Sequence, residues 1–303
     1  MKESSGSSSS PRARRAGGLE VRAPRVRFEG LPRHWLAGSP AATHIANGVN
    51  LLFPAGERFF IRSVRHYLPA LEATGEHGEL VERVRGFFGQ EGRHAQAHER
   101  FFETLRAQGY PVDEFLERYE RVAYGVIEKA SPPALRLATT VALEHFTAIL
   151  AEDALSDQGA AGLAHAHPAV RQLLEWHAVE EIEHKAVAFD VLQVVNPSYV
   201  LRLAGLAMAT ATLGTFWVQG IRALCVAEGM SFRDFLADMR ALRDAATAEG
   251  ATPQPIVQRV FWRGIRAYLR PGFHPDDVDH RELVAAALAR LEAEGVVAPA
   301  DAA

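Results

Sequence analysis

Two stretches of the chain set a glutamate three residues ahead of a histidine: Glu91-x-x-His94 and Glu181-x-x-His184. The second is preceded by His177, giving His-x-x-x-Glu-x-x-His. At about 3.6 residues per helical turn, positions i, i+4 and i+7 share one face. Leu173, Leu174, Val187 and Ala188 flank the motif and turn that face towards a core. Buried imidazoles and carboxylates need a partner, and a metal ion satisfies several at once. Two isolated glutamates complete the chemistry. Glu144 and His145 are the only ionisable residues between Arg136 and Glu152, so Glu144 is hard to explain as a surface residue. Glu57 stands among Phe53, Phe59 and Phe60, where a carboxylate is either solvated or held by a partner.

In chain order the pattern reads Glu, Glu-x-x-His, Glu, Glu-x-x-His. This is the arrangement of carboxylate-bridged dinuclear centres inside four-helix bundles. The expected ligands are Glu57, Glu91, His94, Glu144, Glu181 and His184, two of the glutamates bridging. His177 stands evenly between an additional nitrogen ligand and a histidine at the bundle edge. His98, one turn beyond His94, reads first as structural. Glu180 and Glu183 could compete with Glu181, but only Glu181 has the i, i+3 relation to His184. Two divalent ions would balance four ionised glutamates. The single cysteine, Cys225, excludes disulfide scaffolds and cysteine-based zinc sites. A His/Asp/Glu donor set suits iron first, with manganese or zinc as alternatives. The ordinary alternative is four unrelated helices with surface glutamates and core histidines, and Glu144 argues against it.

The elements that must position these groups are all helical, and no alternating strand pattern appears. Apolar periodicity and Pro/Gly punctuation predict helices over 41–73, bent near Pro54, and over 78–108, 111–129, 133–155 and 168–195. A further helix over 203–221 carries no charge and is flanked by Arg202 and Arg222. Its length would just allow a membrane span, but its threonines, glycines and Gln219 favour a buried bundle helix. Amphipathic helices follow over 228–250 and about 281–294. Trp35, within an irregular stretch over 21–41, is expected to dock on the core. The fold class is all-α, a ferritin-like four-helix bundle with additional C-terminal helices. The domain reading is a disordered tail over 1–20, the bundle over 21–250 and a helical extension over 251–303.

Hydrophobic content of 48% and charged content of 23% are ordinary for a soluble globular protein, and the formal net charge of −4 gives no pull towards nucleic acid. The Ser/Gly/Arg-rich start lacks the apolar core of a signal peptide, which points to the cytoplasm, with membrane contact through 203–221 left open. A homodimer is compatible with the sequence.

The stretches FPAGERFFIRSVRHY, QEGRHAQAH, ALEHFTA, EWHAVEEIEHKAVAFDV and YLRPGFHP resemble a bacterial family called predicted metal-dependent hydrolase, of ferritin-like type. The resemblance covers the chain from about Val26 to Pro275 and implies a ferritin-like metal-carboxylate protein. A looser resemblance, through His177, Glu181 and His184, is to the diiron arylamine N-oxygenases, and it implies an additional histidine on one iron. Three functions follow as expectations. The first is a diiron oxygenase or oxidase acting with O2 on a small organic substrate, with Phe59, Phe87, Phe88 and Phe146 lining a channel and an electron donor that the sequence does not identify. The second is a metal-dependent hydrolase that activates water. The third is a non-enzymatic metal store.

Overall fold

The computed structural model describes residues 18–248, 250 and 257–298. Most of the tail expected over 1–20 therefore lies outside the described residues. The described chain is helical throughout, with no strand and a lone bridge between Leu36 and Ala166.

The first long helix expected from the sequence is three. α1 (Pro40–Asn50), α2 (Phe53–Arg65) and α3 (Leu68–Ala73) are separated by short turns. Pro54 and Pro69 fall in the first turns of α2 and α3, where a missing N–H costs nothing, so each proline starts a helix instead of bending one. Ser39 caps α1 by accepting from the Ala42 N–H. α4 (Gly78–Ala107) ends at Gly109, whose φ of +85° suits glycine. α5 (Val112–Val122) runs on as a π-helix over Ala123–Glu128. α6 (Pro133–Leu155) has the predicted bounds, with Pro133 at its first position. After the short α7 (Asp157–Leu163), the helix expected over 168–195 divides into α8 (Pro168–His184) and α9 (Val187–Val195). The break falls directly after His184. α10 (Tyr199–Ala227), capped by Ser198, is longer than predicted and takes in both Arg202 and Arg222. α11 (Phe232–Ala248), α12 (Trp262–Tyr268) and α13 (Arg281–Ala293) complete the chain.

Four helices enclose the candidate site. α2 packs on α4 and α6 packs on α8, while α2 meets α6 and α4 meets α8. The apolar core splits into two clusters along these helices. One holds Ala55, Ala97, Phe101, Ala151, Leu173 and Trp176. The other holds Phe59, Phe60, Phe87, Val141, Phe146 and Val187. On α2 and α4 the polar residues Glu57, Glu91 and His94 fall between the two clusters, so an ionisable layer is sandwiched by apolar ones. Such a layer is buried, and its polar atoms need partners there.

α10 lies across α6 and α1. A Cβ on Gly205 would stand 2.3 Å from the Ala138 carbonyl oxygen, so only glycine permits this approach. The expectation of a buried helix holds for one side of α10 only. Phe216 and Leu224 are buried, but Val200 is 75% and Val218 64% exposed. α6 and α10 are both long and apolar enough to cross a membrane by length and composition. Trp35 does dock on the core, 2% exposed, with its indole N–H donated to Asn47 at 3.0 Å.

Candidate metal centre

The six expected ligands and His177 are all buried, none more than 4% exposed. α2 supplies Glu57, α4 supplies Glu91 and His94, α6 supplies Glu144, and α8 supplies His177, Glu181 and His184. His184 Nε2 lies 3.1 Å from Glu91, 3.4 Å from Glu144 and 3.5 Å from Glu181 Oε2. The other Glu181 oxygen, Oε1, lies 2.8 Å from His177 Nε2 and 3.5 Å from His94 Nδ1. His177 Nε2 is also 3.7 Å from Glu57. Four overlapping donor groups emerge: Glu57, His98 and His177; His94, His177 and Glu181; Glu57, Glu91 and His94; and Glu91, Glu144 and His184.

The atoms left without hydrogen bonds test whether the site fits metal ions. Among the buried atoms with no partner are both oxygens of Glu57, Glu91 and Glu144, together with Glu181 Oε2, His94 Nδ1 and His184 Nε2. Orphaned buried carboxylates are costly, and these converge on shared points. The donor set of oxygen and imidazole nitrogen suits first-row metals.

The opposite ring nitrogens are tied back into the protein. His94 Nε2 donates to Glu180 at 3.0 Å, and His184 Nδ1 donates to the Gln90 amide oxygen at 3.0 Å. His177 Nδ1 is 2.7 Å from His98 Nε2. Each bond leaves the remaining nitrogen of His94, His184 and His177 directed at the carboxylates, the arrangement by which outer partners orient metal-ligating histidines. His98 meets His177 in this way and also groups with Glu57 and His177 as a possible ligand. Glu180 does not compete with Glu181; it accepts from His94 and from the Arg22 backbone N–H at 3.1 Å. Arg22 grips Glu183 through two bonds of 2.8 and 3.1 Å, and Gln90 donates to the same glutamate. The sequence reasoning missed Gln90 and Arg22. Gln90 adjoins Glu91 in an apolar stripe, which was a usable signal, whereas Arg22 carries none.

The electrostatics describe a cluster short of cations. Burial raises the Glu57 carboxyl well above its ordinary range, with Glu91 adding to it, and burial likewise raises Glu91. Burial and the charge of Glu91 push Glu144 up to about 8. Burial opposes charge on His94 and His184, but the surrounding glutamates prevail, raising His94 to about 10 and His184 well above its usual value. Burial would also raise Glu181, yet His184 and the bonds from His177 hold it well below the usual carboxylate range. Protons thus occupy positions that cations could take.

Two cavities reach this layer. A small one of about 90 Å³ is lined by Glu57, Phe59, Phe60, Tyr119, Tyr124 and Phe146. A larger one of about 730 Å³ runs past His177, Glu181, Leu174, Ala178 and Met239. Phe53, Val49, Thr147 and Leu150 line both. The expected aromatic channel is therefore only half present. Phe59 and Phe146 line the small cavity, whereas Phe87 packs edge-on against His184 at 5.0 Å and Phe88 lies under the Arg65 guanidinium.

A sequence model of the family described as "predicted metal-dependent hydrolase" matches residues 20–279. The chain belongs to this family. Comparison with curated proteins and with solved structures finds no match. Of the reactions expected from the sequence, the hydrolase alternative is the one that the family description names. The family is described as metal-dependent, and the description leaves the metal and the number of ions open.

Proposed function

We propose that this protein is a dinuclear metal enzyme that oxidises a small apolar substrate with dioxygen. Glu57, Glu91, His94, Glu144, His177, Glu181 and His184 would hold two ions, iron first. When bound, such a pair supplies the electrons and the Lewis acidity for dioxygen chemistry. The chain's own residues do the rest. Phe53, Leu150 and Leu174 hold an apolar substrate in the larger cavity and exclude water. Glu180, Gln90 and His98 fix the imidazoles, so that the donor atoms are in place before any ligand arrives. The observation that carries this reading is the union of a buried, carboxylate-rich donor layer with a cavity of about 730 Å³ walled mainly by aliphatic side chains and Phe53.

A second reading, hydrolysis, is favoured by the family description. There the same layer would bind and deprotonate water beside an ester or phosphate. The two are separated by loading the metal-free protein anaerobically with iron or, separately, with zinc. Oxidation predicts about two irons per chain and dioxygen uptake on exposure to air. Zinc-loaded protein that turns over esters or phosphates, with iron-loaded protein that consumes no dioxygen, would establish the second reading and sink the first.

A further inference from the structure

A second group of metal-type ligands lies outside this centre and shares no residue with it. His34 belongs to the segment before α1, His44 to α1, and Glu228 follows the last turn of α10. Glu228 Oε2 lies 2.9 Å from His34 Nε2 and 3.2 Å from His44 Nε2. His44 is fully buried, and neither of its ring nitrogens has a hydrogen-bond partner among the described residues. Nε2 of this buried imidazole faces a carboxylate oxygen, and its Nδ1 is left without a partner inside the protein.

The other Glu228 oxygen is already engaged. Oε1 accepts from Arg33 Nε at 2.8 Å and from the Tyr110 hydroxyl. His34 Nε2 also lies 3.1 Å from Oε1, so the carboxylate presents both oxygens to His34 and Oε2 to His44. Arg33 and Tyr110 act as outer partners that hold the Glu228 carboxylate in place. In a tetrahedral zinc site with bonds of about 2.0–2.1 Å, neighbouring donor atoms are separated by about 3.3 Å. The two contacts on Oε2 already fall close to that edge length.

We propose that His34, His44 and Glu228 form a separate mononuclear site for a zinc-type divalent cation, with its fourth position open to water. The cation would pin the segment leading into α1 to the end of α10, groups separated by 194 residues in sequence. Its role is a clasp that closes the bundle over α1.

The test uses the full chain in the Glu144→Gln background, which impairs the dinuclear centre and leaves the clasp intact. Zinc binding is followed by metal analysis after gel filtration and by cobalt(II) titration, in which a four-coordinate site gives the stronger visible absorption. The expected result is one equivalent that is lost on His34→Gln and on Glu228→Gln, together with a zinc-dependent rise in melting temperature that both variants lack. His34 is partly exposed, so its glutamine variant keeps the fold, which circular dichroism checks. The proposal is overturned if the background protein retains no such equivalent, or if both variants bind zinc and cobalt as the background protein does.

Discussion

Replacing Glu144 by glutamine should act in opposite directions on the metal-free and metal-loaded protein. Glu144 is fully buried, and without cations its carboxyl is held neutral, with a pKa of about 8 against an ordinary 4.5. At pH 7 an unfolded chain would ionise it. Keeping it protonated in the folded state therefore costs about 1.4 kcal/mol for each pH unit between 4.5 and 7, or about 3 kcal/mol. Glutamine has the same shape and no proton to hold, so Glu144→Gln removes that cost. Its amide can donate to the neighbouring oxygens of Glu91 and Glu181. The metal-free variant should melt about 6 °C above the metal-free wild type at pH 7. In the loaded protein the same change deletes a ligand and should weaken metal retention by at least about a hundredfold, reversing the order of melting temperatures. Differential scanning calorimetry with and without chelation, paired with metal analysis, reads both effects. A metal-free variant that is less stable than wild type, or a loaded variant as stable as loaded wild type, would refute the account of Glu144 as an acid kept neutral for want of a cation.

Four further outcomes follow from the same structure. Metal-free protein should lose stability between pH 6.5 and 8, because the raised Glu144 and His94 keep protons there that the unfolded chain releases; a melting temperature that rises over this window in chelator would contradict the shifts. Glu180→Gln removes the anionic acceptor behind His94 and should lower metal affinity about 10–100-fold with little change in helix content, measured by chelator competition. Leu150→Trp fills the boundary between the two cavities and should leave metal loading intact while lowering turnover of bulky substrates about tenfold, so lost metal would count against the placement of the substrate. Gly205→Val should destabilise severely, since its side chain would meet the backbone carbonyl of Ala138; a variant melting within about 2 °C of wild type would show that the α6–α10 contact yields easily.

The helices were legible where apolar periodicity and terminal signals agree. α6 has the bounds that Pro133 and the apolar run to Leu155 predict, and α4 was missed by a single residue. The candidate ligands were legible for a different reason. Helical spacing is rigid, so i, i+3 and i+7 relations survive folding, and Glu144 stood out by its isolation in an apolar run. What sequence could not show depends on distance and direction. The break after His184 is not marked by proline or glycine, because packing of α9 against α4 and α6 decides it. The roles of Glu180 and Glu183 were ambiguous because adjacent residues on a helix differ by about 100° in direction, and only the position of α4 tells which one meets His94. The grouping of His34 and His44 with Glu228 joins the two ends of the bundle, a relation no local pattern encodes.

One feature of the N-terminal segment bears on how the protein must be handled. Leu19 and Val21 lie so close over Gly86 and Gly89 of α4 that a Cβ on either glycine would come within 2.7 Å of them. From that seat the Glu20 carbonyl anchors Gln90, and Arg22 anchors Glu180 and Glu183. Trimming the chain back to its first helix, a common choice for crystallisation, would sever the supports of two histidines more than seventy residues away in sequence. An expression design that keeps every helix could still yield a protein that takes up its ions poorly, and the fault would lie in about five residues of coil.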